Sequence, residues 1–195
     1  MLTRFVVLGF TLLMATSFVN SVTAETLPLK CAIAGSFTDG VETHLDTNGD
    51  GLSANLSQGV VKCNVGSGIS HEEIEWIESP VSACPNKPGM IEFHISPTQG
   101  QHRSVSTDTK TTDQLFAQVT LGTLCFDSST GKGTVTTEGK YLGGTGKNAG
   151  ATGSFTSQSS LSYLAFGFKD GVFGGFGQFT GTLKGTLIRP KDDDE

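Results

Sequence analysis

"VFGGFGQFTGTLKGTLI", residues 172–188, decides the fold. Its odd positions place Phe173, Phe179, Leu183 and Leu187 on one face together with Gly175, Gly177, Gly181 and Gly185. Gln178, Thr180, Thr182, Lys184 and Thr186 fall on the other. Side chains of a strand alternate between faces, so this period of two describes a ribbon that is apolar or bare on one side and wet on the other. A strand of this length at the edge of an open sheet would expose a row of unpaired N–H and C=O groups. Closing the sheet on itself removes that edge, and glycines on the inner face permit the coiling that closure needs. The stretch therefore predicts an all-β fold, an antiparallel closed barrel, with a β-sandwich as the alternative.

Working outward, "LSYLAFGF" (161–168) precedes this strand, and Lys169-Asp170-Gly171 reads as a three-residue hairpin with a bulge at the glycine. In "DQLFAQVTLGTLCF" (113–126), Leu115, Ala117, Val119 and Leu121 share a face with Cys125 further along it, while Gln118, Thr120 and Gly122 take the other. "DSSTGKG" (127–133) is a turn and "GTVTTEGKYL" (133–142) another strand. Helix signals are nearly absent, and the 26 glycines of the chain weigh against helix. "SHEEIEWIES" (70–79) reads two ways. Ser70 and Glu73 have the spacing of a capping box, yet Ile74, Trp76 and Glu78 also alternate with Glu73, Glu75 and Ile77 as in a strand.

The chain opens with Arg4, an apolar run from Phe5 to Phe18 and the small residues Val22-Thr23-Ala24. That is the pattern of a secretory signal peptide over residues 1–24, and the run falls short of the roughly 20 apolar residues that a membrane span needs. No later stretch is apolar enough to span a bilayer. The expected organisation is a signal peptide (1–24), one β-barrel domain (25–190) and a solvated acidic tail (191–195, "KDDDE"), with a secreted or periplasmic destination. The net charge of −6 and the lack of a basic stripe argue against nucleic acid as a partner. Cys31, Cys63, Cys84 and Cys125 are even in number in an exported chain, which suggests two disulfides with three pairings open. No CxxC is present, which argues against a zinc cluster or a redox motif.

"YLGGTGKNAGATGSF" (141–155) goes beyond periodicity. Gly143-Gly144-Thr145-Gly146-Lys147 and Gly150-Ala151-Thr152-Gly153-Ser154-Phe155, with the preceding "GKGTVTTEGKYL" and the closing "GTLKGTLI", resemble the glycine-rich hairpin of the allene oxide cyclase-like barrels. That calycin-shaped group also includes plant dirigent proteins. Upstream, "ANLSQGVVKC" (54–63) and "DQLFAQVTLGTLCFD" (113–127) look like secreted relatives of the same group. The resemblance implies a barrel of about eight strands with a ligand-sized interior. It also implies the roles known in the group, ring-forming isomerisation of a fatty-acid epoxide or steering of phenoxy radical coupling. No stretch matches the motifs that bear catalytic residues there, so fold carries over and activity does not. "GGTGKNAG" also looks superficially like a phosphate-binding loop, but no helix follows to present its amides.

Three places could carry chemistry. In "DTNGDG" (46–51), Asp46, Asn48 and Asp50 occupy alternate positions of a calcium loop, Gly51 supplies the turn and the carbonyl of Leu52 a further ligand. Ser57 stands where a bidentate glutamate belongs, so an Asx-rich turn without metal ranks above a weak calcium site. Glu92 and His94 share one face of "MIEFHIS" opposite Ile91, Phe93 and Ile95; with the isoleucines inward the pair faces water, which ranks first, and turned into a barrel it could do acid–base work. Phe166, Phe168, Phe173, Phe176 and Phe179 cluster around one hairpin, as core or as the wall of a hydrophobic ligand site. His71 next to Glu72 and Glu73 lacks the second histidine of HExxH. Asn55-Leu56-Ser57 is an N-glycosylation sequon. On these residues, binding a small hydrophobic molecule or acting as an interaction or structural module ranks above catalysis. A cyclase or isomerase is the alternative, and oligomerisation is open.

Overall fold

A computed structural model describes residues 23–39, 54–75, 82–95, 103–169 and 172–191. The strands are β1 (Ala24–Asp39), β2 (Ala54–Cys63), β3 (Gly66–Glu75), β4 (Ser82–Ala83), β5 (Ile91–His94), β6 (Arg103–Asp108), β7 (Gln114–Asp127), β8 (Lys132–Gly144), β9 (Thr152–Lys169) and β10 (Val172–Pro190). Eight of them, β1-β2-β3-β6-β7-β8-β9-β10, form a closed antiparallel barrel, because β7 pairs with β8 and β10 with β1. The barrel predicted from the alternation of β10 is therefore the fold, and the sandwich is not. The small β4–β5 hairpin is added outside this ring. β6 pairs with Gln114–Gln118 of β7 and β5 with Thr123–Phe126, so the two share one edge of that strand.

β10 presents its two faces as its pattern requires. Leu187 is buried, Phe179 and Leu183 are half-buried toward the lumen, and Gln178, Thr180, Thr182 and Lys184 are exposed. The inner glycines have a steric reason. A Cβ on Gly35 would meet the carbonyl oxygen of Gln58, the Cα of Gly59 at 2.6 Å and the Phe179 ring at 2.8 Å. Gly35 and Gly59 face each other across β1 and β2, and the Phe179 ring lies over both. An aromatic ring thus covers bare backbone on the concave wall.

Of two readings left open in the sequence one is formed, and two expectations change. The stretch from Ser70 to Glu75 belongs to strand β3, in full antiparallel register with β2 from Ala54↔Glu75 to Cys63↔Gly66. Its neighbours supply the backbone partners that a lone helical turn would lack. In β7, a register shift between Val119 and Leu121 turns the strand over. An extra residue in a bulge exchanges inner and outer faces, so Ala117 and Val119 are buried inward, Leu121 is 61% exposed, and Leu124 and Phe126 take over the inner face. Cys125 consequently faces outward, under the β4–β5 hairpin. Finally, the β9–β10 register reaches Val172↔Lys169, so the connection is shorter than three residues, and the irregularity sits at Phe176/Gly177.

Both disulfides are present: Cys31–Cys63 joins β1 to β2 inside the barrel, and Cys84–Cys125 pins the outer hairpin to β7. Of the three pairings open in the sequence, this is the one formed. The core has two clusters. One contains Leu29, Cys31, Ile74, Val119, Tyr141, Phe155 and Leu187. The other is built on Phe37, Phe93, Leu124, Phe126, Leu161 and Tyr163, with edge-to-face contacts of Tyr163 to Phe37 (4.8 Å) and to Phe126 (5.1 Å). The glycine-rich stretch is a strand–turn–strand, β8 to β9 through a short 3-10 turn, Gly146–Asn148. Gly146 (φ 53°) and Gly150 (φ 74°) take the left-handed conformations it needs.

Candidate functional site: a carboxylate inside the barrel

The inner face of β3 carries Gly68, Ser70, Glu72 and Ile74, set by the same parity that buries Ile74. Glu72 therefore points into the lumen. Its strand partner Ser57, on the inner face of β2, donates its hydroxyl to Glu72 Oε2 at 3.4 Å. No cationic side chain is bonded to Glu72 among the described residues. Desolvation dominates, and the Ser57 bond opposes it only in part, so the carboxyl is raised to about 7. The side chain keeps some accessible surface, and that surface opens onto internal space.

Glu72 lines two neighbouring cavities. The larger, about 150 Å³, is walled by Leu29, Ile33, Val61, Leu115, Leu183 and Leu187, by the Tyr141 and Phe155 rings and by the Cys31–Cys63 disulfide. The smaller, about 80 Å³, has Phe37, Ile74, Leu124, Val135, Leu161 and Tyr163 in its wall. Ile33, Ser57, Glu72, Ser157 and Phe179 belong to both. A wider recess of about 570 Å³ also has Glu72 in its wall, at the ends of β1, β2 and β3 where Thr38, Leu56 and Glu73 stand side by side. Polar groups at this level form a layer between the two apolar clusters. Thr137 Oγ1 and Ser157 Oγ share a hydrogen bond of 2.6 Å.

At the other end of the larger cavity, where Asp113 also lines the wall, stand two ion pairs. Lys147, on the 3-10 turn, bonds to Asp108 of β6 at 2.6 Å. That bond and the backbone N–H of Lys110 hold the Asp108 carboxyl down at about 2. Arg189 bonds to Glu25 at 2.5 Å. Asn148 is buried and donates to the carbonyl of Gln114 at 3.2 Å. The glycine-rich turn is thus latched across this end of the barrel. Burial raises the Tyr141 hydroxyl above its ordinary range, so it stays neutral.

The residues singled out in the sequence are placed as follows. His94 Nε2 and Glu92 Oε1 do meet, at 2.7 Å. Phe93, between them, is buried with the inner core, which puts the pair on the outer face of β5; Glu92 stands opposite Cys125, and the His94 side chain is 44% exposed. Among the five phenylalanines, Phe179 lines both cavities. Phe166 is exposed and packs edge-on against Phe126 and Tyr163 at 5.7 and 5.8 Å, and Phe176 is exposed. The side chains of Phe168 and Phe173, and the calcium-loop candidates Asp46, Asn48, Asp50 and Leu52, lie outside the described residues. Asn55 of the sequon lies within β2 and lines the smaller cavity.

Glu72 entered the sequence reading only as part of a failed zinc motif. The signal that finds it is parity: once "SHEEIE" is a strand and Ile74 is inside, Glu72 must be inside too. No protein-family profile, curated protein or solved structure matches the chain.

Proposed function

We propose that this protein is an exported barrel that binds a small hydrophobic molecule in its lumen, and that it is a secreted member of the allene oxide cyclase-like, dirigent-like group. The observation that carries the reading is the largely apolar cavity of about 150 Å³ with the desolvated carboxyl of Glu72 in its wall. Binding sites are commonly apolar spaces with a few convergent polar groups. An internal space of about 150 Å³ is on the scale that accepts benzene, so the occupant is of single-ring size unless it extends through the recess beside Glu72. Two disulfides suit an oxidising compartment, as does the signal-type leader. Among the described residues no helix is long and apolar enough to cross a membrane.

Native mass spectrometry of the full chain expressed with its leader tests this. The expected species lacks residues 1–24 and four cysteine hydrogens, and it takes up one equivalent of an added apolar probe such as toluene. Retention of the leader would overturn export, and failure to take up any apolar probe would overturn the lumen as a ligand site.

One observation favours a second reading, a cyclase or isomerase. A carboxyl raised to about 7 can both give and accept a proton at neutral pH. Turnover of a hydrophobic epoxide by the protein, abolished in Glu72→Gln, would support it; equal turnover in the variant would remove Glu72 from any such chemistry.

A further inference from the structure

The charges on the wall of the larger cavity do not balance. Glu72, Asp108, Asp113, Lys147 and Arg189 line it. Lys147 is taken by Asp108 and Arg189 by Glu25. Glu72 and Asp113 have no cationic side chain bonded to them among the described residues, so the lumen carries surplus negative charge. The hydroxyls of Ser57, Ser70, Ser106 and Ser157 surround the same space. Hydroxyl oxygens accept hydrogen bonds, and an ammonium group has up to three N–H donors and no acceptor.

We propose that the lumen is selective for a small hydrophobic amine, its ammonium group held by Glu72 with Ser57 and Ser157, and its ring or branched chain lying against Ile33, Leu183 and Phe179. This rests on the lumen being a ligand site and names the ligand class. The physical case is complementarity. A carboxylate in a low-dielectric space is costly when alone, and an ammonium is the partner that stabilises its charged form most strongly. A carboxylate ligand would meet like charge there, and a neutral hydrocarbon would leave the carboxyl without a partner.

Three ring-sized probes separate the possibilities: toluene, benzylamine and benzoate, each titrated into the full-length mature protein at pH 8 and followed by calorimetry and by amide NMR shifts. The expected result is that toluene binds both the native protein and Glu72→Gln. Benzylamine binds the native protein at least tenfold more tightly than toluene, and the preference disappears in the variant. Benzoate does not compete. Should the variant fail to fold, the native protein at pH 5 serves instead, because protonation of Glu72 removes the anion. The groups facing it from β2, β6 and β9 are the uncharged Ser57, Ser104 and Ser157; Asp108–Lys147 and Glu25–Arg189 remain mutually neutralised at the far end, where Asp113 also stands, its carbonyl accepting from the Asp108 N–H. The preference then collapses between pH 8 and pH 5. Benzylamine binding no tighter than toluene, or equally tight in the variant, overturns the amine proposal and leaves the lumen as a ligand site. Failure of all three probes overturns both.

Discussion

Ser57 and Glu72 face each other across the β2–β3 ladder, and the serine hydroxyl is the one hydrogen bond from a described side chain to the carboxylate. The bond is long, and burial outweighs it. A carboxyl raised from 4.5 to about 7 means that the folded chain holds a proton that the unfolded chain has released. Folded stability from this group is thus complete below about pH 4.5 and is lost as pH rises through about 7. Glu72→Gln, which keeps shape without charge, should be close to neutral for stability at pH 4. At pH 8 it should be stabilising by on the order of 3 kcal/mol. Urea unfolding of both proteins across this range checks the sign; a variant less stable at pH 8 than the native chain would show that the carboxylate is well solvated.

The Cys31–Cys63 bridge lies in the cavity wall and joins cysteines 32 residues apart in the chain. The Cys31→Ser/Cys63→Ser pair should cost about 2–4 kcal/mol of stability by denaturant unfolding, chiefly by freeing the unfolded chain. The same pair should weaken apolar probe binding, since the bridge is part of the wall. The Cys84→Ser/Cys125→Ser pair touches the outer hairpin and should leave probe affinity unchanged.

Gly35 and Gly59 lie under the Phe179 ring. Gly35→Ala drives a methyl into the backbone of β2, which cannot yield as a flexible side chain can. A loss of about 1–3 kcal/mol follows, with a shift in the Phe179 ring resonances. Gly167 has open space around the position of a Cβ, so Gly167→Ala is the control and should change stability by less than about 0.5 kcal/mol.

Asn55 carries a sequon but sits in β2 with its side chain toward the lumen, and Ser57 of the same sequon is bonded to Glu72. A glycan cannot be housed in a space of about 80 Å³. Expression in a eukaryotic secretory host should therefore give folded protein with no added mass at Asn55, read by peptide mapping. Full occupancy in folded protein would mean that this wall opens outward.

The sequence made some of this visible and hid the rest for definable reasons. β10 was legible because its inner face holds only apolar residues and glycine from Phe173 to Leu187, before Arg189 ends the pattern. β7 was legible as a strand but not in its second half, because a bulge at Val119/Leu121 reverses the faces without leaving a mark in the pattern. Glu72 was hidden because its strand exposes Ile69 and encloses a glutamate, the reverse of the usual rule, and only the partner strand fixes which parity is inside. Glu92 and His94 were found as a pair in sequence, yet which face of β5 turns inward is decided by Phe93 against Leu124.

A carboxyl held near neutrality inside the barrel is most directly tested by carbon-13 NMR titration of the glutamate side-chain carboxyl, with Glu72→Gln assigning the signal. The structure predicts one resonance with a midpoint near pH 7, moving lower when benzylamine is added. A Glu72 midpoint near 4.5, unmoved by the amine, would contradict it.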